Sequence, residues 1–459
     1  MSLDQSLSIQ KLPRNFAKLL SLSTALIMTG FAPWSVDASG IYRNGVGARA
    51  MSLGGADVAW AGDALGAMSL NPAGLGFLKD TSLDVSFAGA LLDAKFTNPV
   101  NRDGYLKNSL GGLADAALAI PVGSTPVTLG LGVIPDSLLS ANWRYTDAPG
   151  GLDGVTSYGF QKHHSEIILL RTALGAGVAL GEKISVGASL GVVYNRNTLQ
   201  SPYIFQEQPA LRGAKTLLDL GTDGFGVNGN FGVLFRPHPD WQIGLAYRTE
   251  TRIRSHGEAS GNAGVQLKSL GGLFALARPD FHYDAEVVNT FPQMISGGVS
   301  WRAHPRLRLT TQVDWVNWHD AFDRVRIKLS NGDNADLNGL AGGNSLEDSA
   351  PLNWKDAFVY RAGVDFAVSE NFHLRGGYSY GRNPVPAETL TPLTAAIAEH
   401  TFTAGIGFTR GRYQIDFAYQ YDLPVTGRVD VSALRSGEYS RSEVDLSIHW
   451  IGLTTSIRF

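Results

Sequence analysis

Between residues 358 and 381, apolar and polar positions alternate with almost no break. Phe358, Tyr360, Ala362, Val364 and Phe366 fall on one side, and Phe372, Leu374, Tyr378 and Tyr380 continue it after a short interruption. Arg361, Asp365, His373 and Arg375 fall between them. A period of two is that of a β-strand with unlike faces. The same period predicts fourteen strands: 82–92, 113–122, 126–134, 165–180, 183–197, 224–237, 240–254, 292–303, 306–317, 356–369, 371–381, 399–410, 411–422 and 445–459. The stretch 320–330 reads as an upward extension of 306–317 past a bend.

The connections between these strands alternate in length. Tight turns fall near 123–125, 181–183, 236–240, 303–305, 369–371 and 410–412. Long loops fall near 93–112, 135–164, 198–223, 255–291, 331–355, 382–398 and 423–444. Every long loop thus lies at one end. Stacked soluble hairpins have no reason for that asymmetry. A transmembrane barrel does, with short turns in the periplasm and long loops outside.

The faces agree with a barrel. The apolar side of each strand carries almost no charge at its middle, while Arg248, Glu250, Arg308, Asp314, Arg361, Asp365, Arg375 and Asp416 collect on the other side. A cation at mid-depth on the lipid face costs about 2–4 kcal/mol. Closure also removes sheet edges that lipid cannot hydrate. The apolar face therefore points to lipid and the arginines to the lumen. Trp241, Trp301, Trp315, Tyr421, Trp450 and Phe459 suit interfacial girdles. In the last strand the apolar parity changes between Trp450 and Leu453, which a bulge near 450–451 would absorb.

Residues 1–38 read as a secretory signal. Lys11, Arg14 and Lys18 precede an apolar run at 19–31, with small residues following. The run is shorter than the ~20 residues that span a bilayer. The sequence has no cysteine, which excludes disulfides and cysteine metal sites. A formal net charge of -3 shows no basic excess for nucleic acid. Charged residues are 17% of the chain and glycines number 54, a charge-poor, glycine-rich balance.

Residues 39–81 do not alternate. Small residues dominate, helical turns are predicted at 55–70, and Asn71-Pro72 ends them. Small side chains suit a plug packed inside a lumen, and the apolar content argues against a solvated tail. The expected organisation is a signal peptide at 1–38, a plug at 39–81 and a barrel at 82–459.

The stretch 45–75, with Asn71-Pro72-Ala73, resembles the hatch of FadL/TodX-type outer-membrane transporters. So does 353–392, through Trp354-Lys355-Asp356, Arg375-Gly376 and Pro384-Val385-Pro386. The resemblance implies an all-β, fourteen-stranded antiparallel transmembrane barrel in a Gram-negative outer membrane, plugged by an N-terminal, partly helical hatch. It implies passive uptake of hydrophobic compounds, long-chain fatty acids first, with monoaromatic or alkane hydrocarbons as the alternative. Outer loops would capture the ligand, a lumen site would hold it, and hatch movement would release it beside an inward kink of the third strand. Gly130, Gly132 and Pro135 are the residues for such a kink, unless Pro135 merely ends the strand.

A fatty acid needs a cation near its carboxylate. Arg361 and Arg375 are candidates, set against a structural salt-bridge network with Asp365 and Asp57 or Asp63. Leu267, Leu270, Leu273, Phe274, Leu276 and Phe281 are candidates for an outer capture groove, with a short amphipathic helix at 268–277. No enzyme, metal or cofactor is expected: H-E-x-x-H is absent. A lipase using His400 or His449, and an adhesin or phage receptor using the loops alone, are the rival classes. The remaining partners expected are outer-membrane lipid and the barrel assembly machinery, which would read the terminal Phe459. A single barrel closes on itself, so a monomer is expected.

Overall fold

The computed structural model describes residues 40–107 and 110–459. The predicted signal segment 1–38 lies outside the described residues. Fourteen antiparallel strands form the wall: β1 (Ser82–Asn98), β2 (Leu110–Pro121), β3 (Val127–Thr146), β4 (Phe160–Leu180), β5 (Ile184–Ile204), β6 (Lys215–His238), β7 (Trp241–Arg248, continued by Thr251–Asn262), β8 (Asp280–Phe291, continued by Met294–His304), β9 (Leu307–Val316), β10 (Ala357–Ala367), β11 (Phe372–Gly381), β12 (His400–Arg410), β13 (Tyr413–Val429) and β14 (Ser442–Arg458). The sheet closes where β1 pairs with β14, from Ser82↔Arg458 to Thr97↔Glu443. Closure there leaves neither the first nor the last strand with a free edge in lipid.

The stretch Arg324–Ser330 follows the helical turn Trp318–Ala321 and pairs with the upper half of β8, Asp284↔Ser330 to Val288↔Arg326. It therefore takes β9's place in the wall above the bend. It also forms a hairpin with Leu346–Pro351 above the barrel.

The side chains sort as lipid demands. Phe358 and Tyr360 are each 52% exposed, while Arg361, next after Tyr360 on the opposite face, is 8% exposed. A slip of one residue would turn every arginine of a strand into lipid, so the register is strongly specified. Trp241 lies opposite Trp301 and stacks on it at 5.2 Å, as a girdle pair should.

The last strand departs from expectation. β14 pairs with β1 without interruption through Trp450↔Ala90 and Ile451↔Gly89, so no bulge lies at 450–451. Leu446, Ile448 and Trp450 are buried inside, and Trp450 Nε1 donates to Asp422 Oδ2 at 3.2 Å rather than joining the girdle. The parity changes because the upper lumen is itself apolar. The β13–β14 ladder instead shifts register between Asp422 and Val425.

Residues 40–78 pack against the inward-facing side of the wall. Helix Ala48–Ser52 and helix Ala64–Ser69 are separated by an irregular stretch, and a 3-10 turn follows at Pro72–Phe77. The helix Ala64–Ser69 falls within the turns predicted at 55–70, whereas the first helix lies before them and cannot continue through Gly54 and Gly55, which take φ of 66° and 76°. Asp63 caps the second helix through Gly66 N at 2.6 Å. Asn71 Oδ1 accepts from Ala73 N at 3.2 Å and its Nδ2 donates to the Val58 carbonyl at 2.7 Å, which fixes the corner at Pro72.

The wall holds this segment on every side. Thr403 Oγ1 donates to the Ser52 carbonyl at 3.0 Å, and Ser185 Oγ to the Ala73 carbonyl at 2.6 Å. Gln312 Oε1 accepts from the Asp57 and Val58 amides at 2.9 and 2.8 Å. Inward-facing glycines let backbones meet: a Cβ on Gly363 would lie 2.7 Å from the Leu53 carbonyl oxygen, and one on Gly187 would overlap the Pro72 carbonyl.

Candidate ligand path

At the long-loop end lies a cavity of about 460 Å³. Its walls come from β6, from Leu267, Leu270 and Phe274 of the 263–277 loop, from Phe281 and Tyr283 of β8, and from Ile327, Leu329, Leu337 and Leu346 of the hairpin region. The loop 263–277 forms helix Gly264–Leu270 and a 3-10 turn Phe274–Leu276. That geometry turns Leu267 and Phe274 into the cavity. Leu273 and Leu276 face solvent, 85% and 79% exposed, and do not line it.

Among the described residues, two charged side chains reach this cavity, Lys215 and Asp348, and both are matched. Lys215 Nζ lies 2.6 Å from Asp147 Oδ1 and 2.9 Å from Glu438 Oε1, and donates to the Ala148 carbonyl at 2.6 Å. Its side chain is fully buried. Asp348 accepts from Tyr203 Oη at 2.6 Å and from the amides of Gln206, Glu207 and Gln208 at 2.9, 2.7 and 2.9 Å. Burial pushes Glu438 up to about 7; Lys215 opposes this rise and Asp147 adds to it.

A second cavity of about 450 Å³ lies deeper, lined by Leu139, Ile167, Phe322, Leu352 and Trp354 with Asn289, Thr290 and the 319–326 segment. Trp354 packs on Phe322 at 4.7 Å and on Trp318 at 5.1 Å, and Tyr42 lies against Trp318 at 5.4 Å. The plug's first residues thus touch the aromatic cluster beside this cavity. The long loop 382–398 also folds inward here. Trp143 Nε1 donates to the Pro392 carbonyl at 2.9 Å and Ser165 Oγ to the Leu393 carbonyl at 2.7 Å.

Leu139 belongs to an inward detour of β3. β2 and β3 pair only from Ala116↔Val133 to Pro121↔Thr128. Above Val133, β3 keeps its partner β4 but with a register shift between Pro135 and Ser137. Residues 134–141 are all buried. Asn101–Leu106 takes up pairing again at Leu106↔Trp143. A gap in the ladder therefore separates 110–115 from 134–142. Ser137 Oγ donates to the Ile41 carbonyl at 2.6 Å, and Ser137 bridges Tyr42. Pro135 sits at the shift, where it has no N–H to leave unpaired. Gly130 and Gly132 lie below it and admit Met68, to whose Cβ a Cβ on Gly132 would come within 3.0 Å.

The two lumen arginines are tied into the wall. Arg361 Nε lies 2.7 Å from Asp314 Oδ2, and its Nη1 donates to the Gly54 carbonyl at 3.2 Å. Arg375 lies 2.5 Å from both Asp365 Oδ2 and Asp416 Oδ1. Asp57 and Asp63 bind Arg49 of the plug instead, at 2.8 and 2.6 Å. His400 and His449 meet the hydroxyls of Tyr378 and Tyr419, each at 2.7 Å.

Sequence reasoning missed Lys215, Asp147, Glu438 and the ladder gap's own ion pair, Arg43–Asp115. Residues far apart in sequence meet there, and no spacing marks them. The glycine seats carried a readable signal: glycines at inward parity, such as Gly187, Gly244, Gly363 and Gly377, sit where a lumen side chain belongs.

The model of the outer membrane protein transport family (OMPP1/FadL/TodX) matches residues 31–459. An alkane uptake protein A from Marinobacter nauticus is 23% identical over 269 residues, covering 54% of this chain and 54% of that protein. The chain thus spans about half the length of that curated relative in the match. A FadL homologue of Pseudomonas aeruginosa superposes with a TM-score of 0.72 at 15% identity, covering 92% of this chain and all of that one (100%). The toluene transporters TbuX of Ralstonia pickettii and TodX of Pseudomonas putida give TM-scores of 0.69 and 0.70, each at 18% identity. They cover 91% and 92% of this chain, and 99% and 100% of their own. With a closed fourteen-stranded wall and a family match across nearly the whole chain, this protein belongs to the outer membrane protein transport family (OMPP1/FadL/TodX).

Proposed function

We propose that the chain admits uncharged hydrocarbons, alkane or monoaromatic, rather than fatty acids. One observation carries this reading: each charged group reaching the outer cavity is already satisfied by protein partners. Lys215 is held by Asp147 and Glu438, and Asp348 by four donors. An incoming carboxylate would have to displace a buried carboxylate from Lys215, and leaving a charge buried without its partner is costly. An alkyl or aryl group needs only apolar surface, which the cavity supplies. The relative named for alkane uptake and the similar structures named for toluene transport accord with this reading.

Transport is passive. A hydrocarbon enters the outer cavity, passes to the aromatic cluster at Trp318, Phe322 and Trp354, and leaves beside the β3 detour when residues 40–46 shift. Arg361 ties the wall to the plug through the Gly54 carbonyl, Arg375 ties neighbouring wall strands through Asp365 and Asp416, and neither contacts ligand. Accumulation of labelled hexadecane and toluene by cells carrying the protein tests this. Leu267→Asp places a carboxylate in the cavity and lowers uptake of both by roughly tenfold or more. Uptake unaffected by Leu267→Asp, in protein that reaches the membrane at normal levels, refutes the path.

A further inference from the structure

The short-turn end of the barrel holds a third cavity that this path does not use. It measures about 690 Å³ and lies between the plug and the turns at 181–183 and 238–241. Lys79, Lys183, Arg236, Arg302 and Arg308 line it. Glu182 and Asp240 are the carboxylates among its described lining residues.

The arginines here are treated differently from those above. Arg43, Arg49, Arg361 and Arg375 each hold a carboxylate at 2.5 to 2.8 Å. Arg171 lacks a carboxylate but spends its donors on Asn228, Ser189 and the Met68 carbonyl. Arg236 and Arg308, both partly buried, have no carboxylate within 4.0 Å among the described residues. Arg236 Nε donates to Gln242 Oε1 at 3.0 Å and Arg308 Nη1 to Ser300 Oγ at 2.8 Å. A guanidinium carries five donors, so most remain free of protein acceptors.

Arg302 and Arg308 also stand directly opposite each other across β8 and β9. Like charges in that position destabilise a sheet. Asp240 gives Arg302 only a 3.9 Å contact, and it shares that carboxylate with His238 at 3.4 Å. Two plug aromatics complete the site: Arg236 lies 3.6 Å from the Phe77 ring centre, and Arg308 lies 4.6 Å from that of Trp60. Stacking fixes the planes of both guanidiniums while leaving their edges open.

We propose that this vestibule binds a phosphate group, with Arg236, Arg302 and Arg308 as its ligands. Several guanidiniums around one cavity match the geometry and charge of phosphate, which accepts paired N–H donors. The cationic surplus fits a dianion better than a single carboxylate. The wall supplies the arginines and the plug supplies Trp60 and Phe77, so a bound phosphate joins the two bodies at the periplasmic mouth. Free phosphate and a phospholipid headgroup present the same chemistry to this site.

The test uses the full mature protein in a nonionic, phospholipid-free detergent. Inorganic phosphate and phosphatidylglycerol in mixed micelles are titrated separately, with sodium chloride at matched ionic strength as control. Binding is read by calorimetry and by 31P resonance broadening. Either probe binds the wild type, and affinity falls at least tenfold in Arg308→Gln. Arg302→Gln, at the solvent-exposed rim, weakens binding without threatening the fold. Response to phosphate alone assigns a small-molecule ligand; response only to the lipid assigns a headgroup. If neither probe binds beyond the chloride control, or if both variants bind as the wild type does, the proposal is overturned.

Discussion

Arg43 Nη1 lies 2.5 Å from Asp115 Oδ1 and 3.3 Å from the Pro135 carbonyl oxygen. One plug side chain therefore contacts both borders of the gap, β2 through Asp115 and β3 through Pro135. Removing one partner of a buried ion pair costs about 3–5 kcal/mol, because the other charge is left uncompensated. Asp115→Asn is expected to loosen the plug's first turn while the barrel persists. Hydrogen exchange of residues 40–46 should accelerate by at least tenfold, with β10–β12 unchanged.

The glycine seats make a second prediction. A side chain at Gly187 would run into the Pro72 backbone, whereas Gly221 has open space around it. Gly187→Val should displace the 3-10 turn Pro72–Phe77 and raise single-channel conductance in planar bilayers. Gly221→Ala should leave conductance at the wild-type level.

The loop anchor at Lys215 is pH-dependent, and its sign follows from Glu438. Its folded value is raised from 4.5 to about 7, by burial first. The neutral form is thus favoured in the folded state. The stabilisation is fully present below about pH 4.5 and is lost as pH rises through about 7. Above that, two carboxylates share one buried ammonium. Exchange protection of residues 430–441 should fall as pH rises from about 4.5 through about 7, and Glu438→Gln should abolish the change.

The wall was legible in the sequence because lipid enforces strict alternation. All fourteen strands could be placed from parity and loop length, and the lumen position of Arg361 and Arg375 followed from the same rule. The upper part of β14 was misread because an apolar lumen mimics lipid: Leu446, Ile448 and Trp450 are greasy and inward. The site was less legible. Leu267, Phe274 and Phe281 could be picked out as apolar loop residues, but only the helix at Gly264–Leu270 decides that Leu273 and Leu276 face away. The Lys215 cluster joins residues 147, 215 and 438, a meeting that local pattern does not encode.

Ligand charge separates a hydrocarbon path from a fatty-acid path, and a side-by-side uptake assay reads it. Cells carrying wild type or Lys215→Met, matched for outer-membrane level, are given labelled hexadecane, toluene or oleate, against an empty-vector control. At least one hydrocarbon should enter faster than in the control in both wild type and variant, with oleate at the control rate. Accelerated oleate entry that is lost in Lys215→Met would contradict the hydrocarbon path, and would make Lys215 the receptor of a fatty-acid carboxylate.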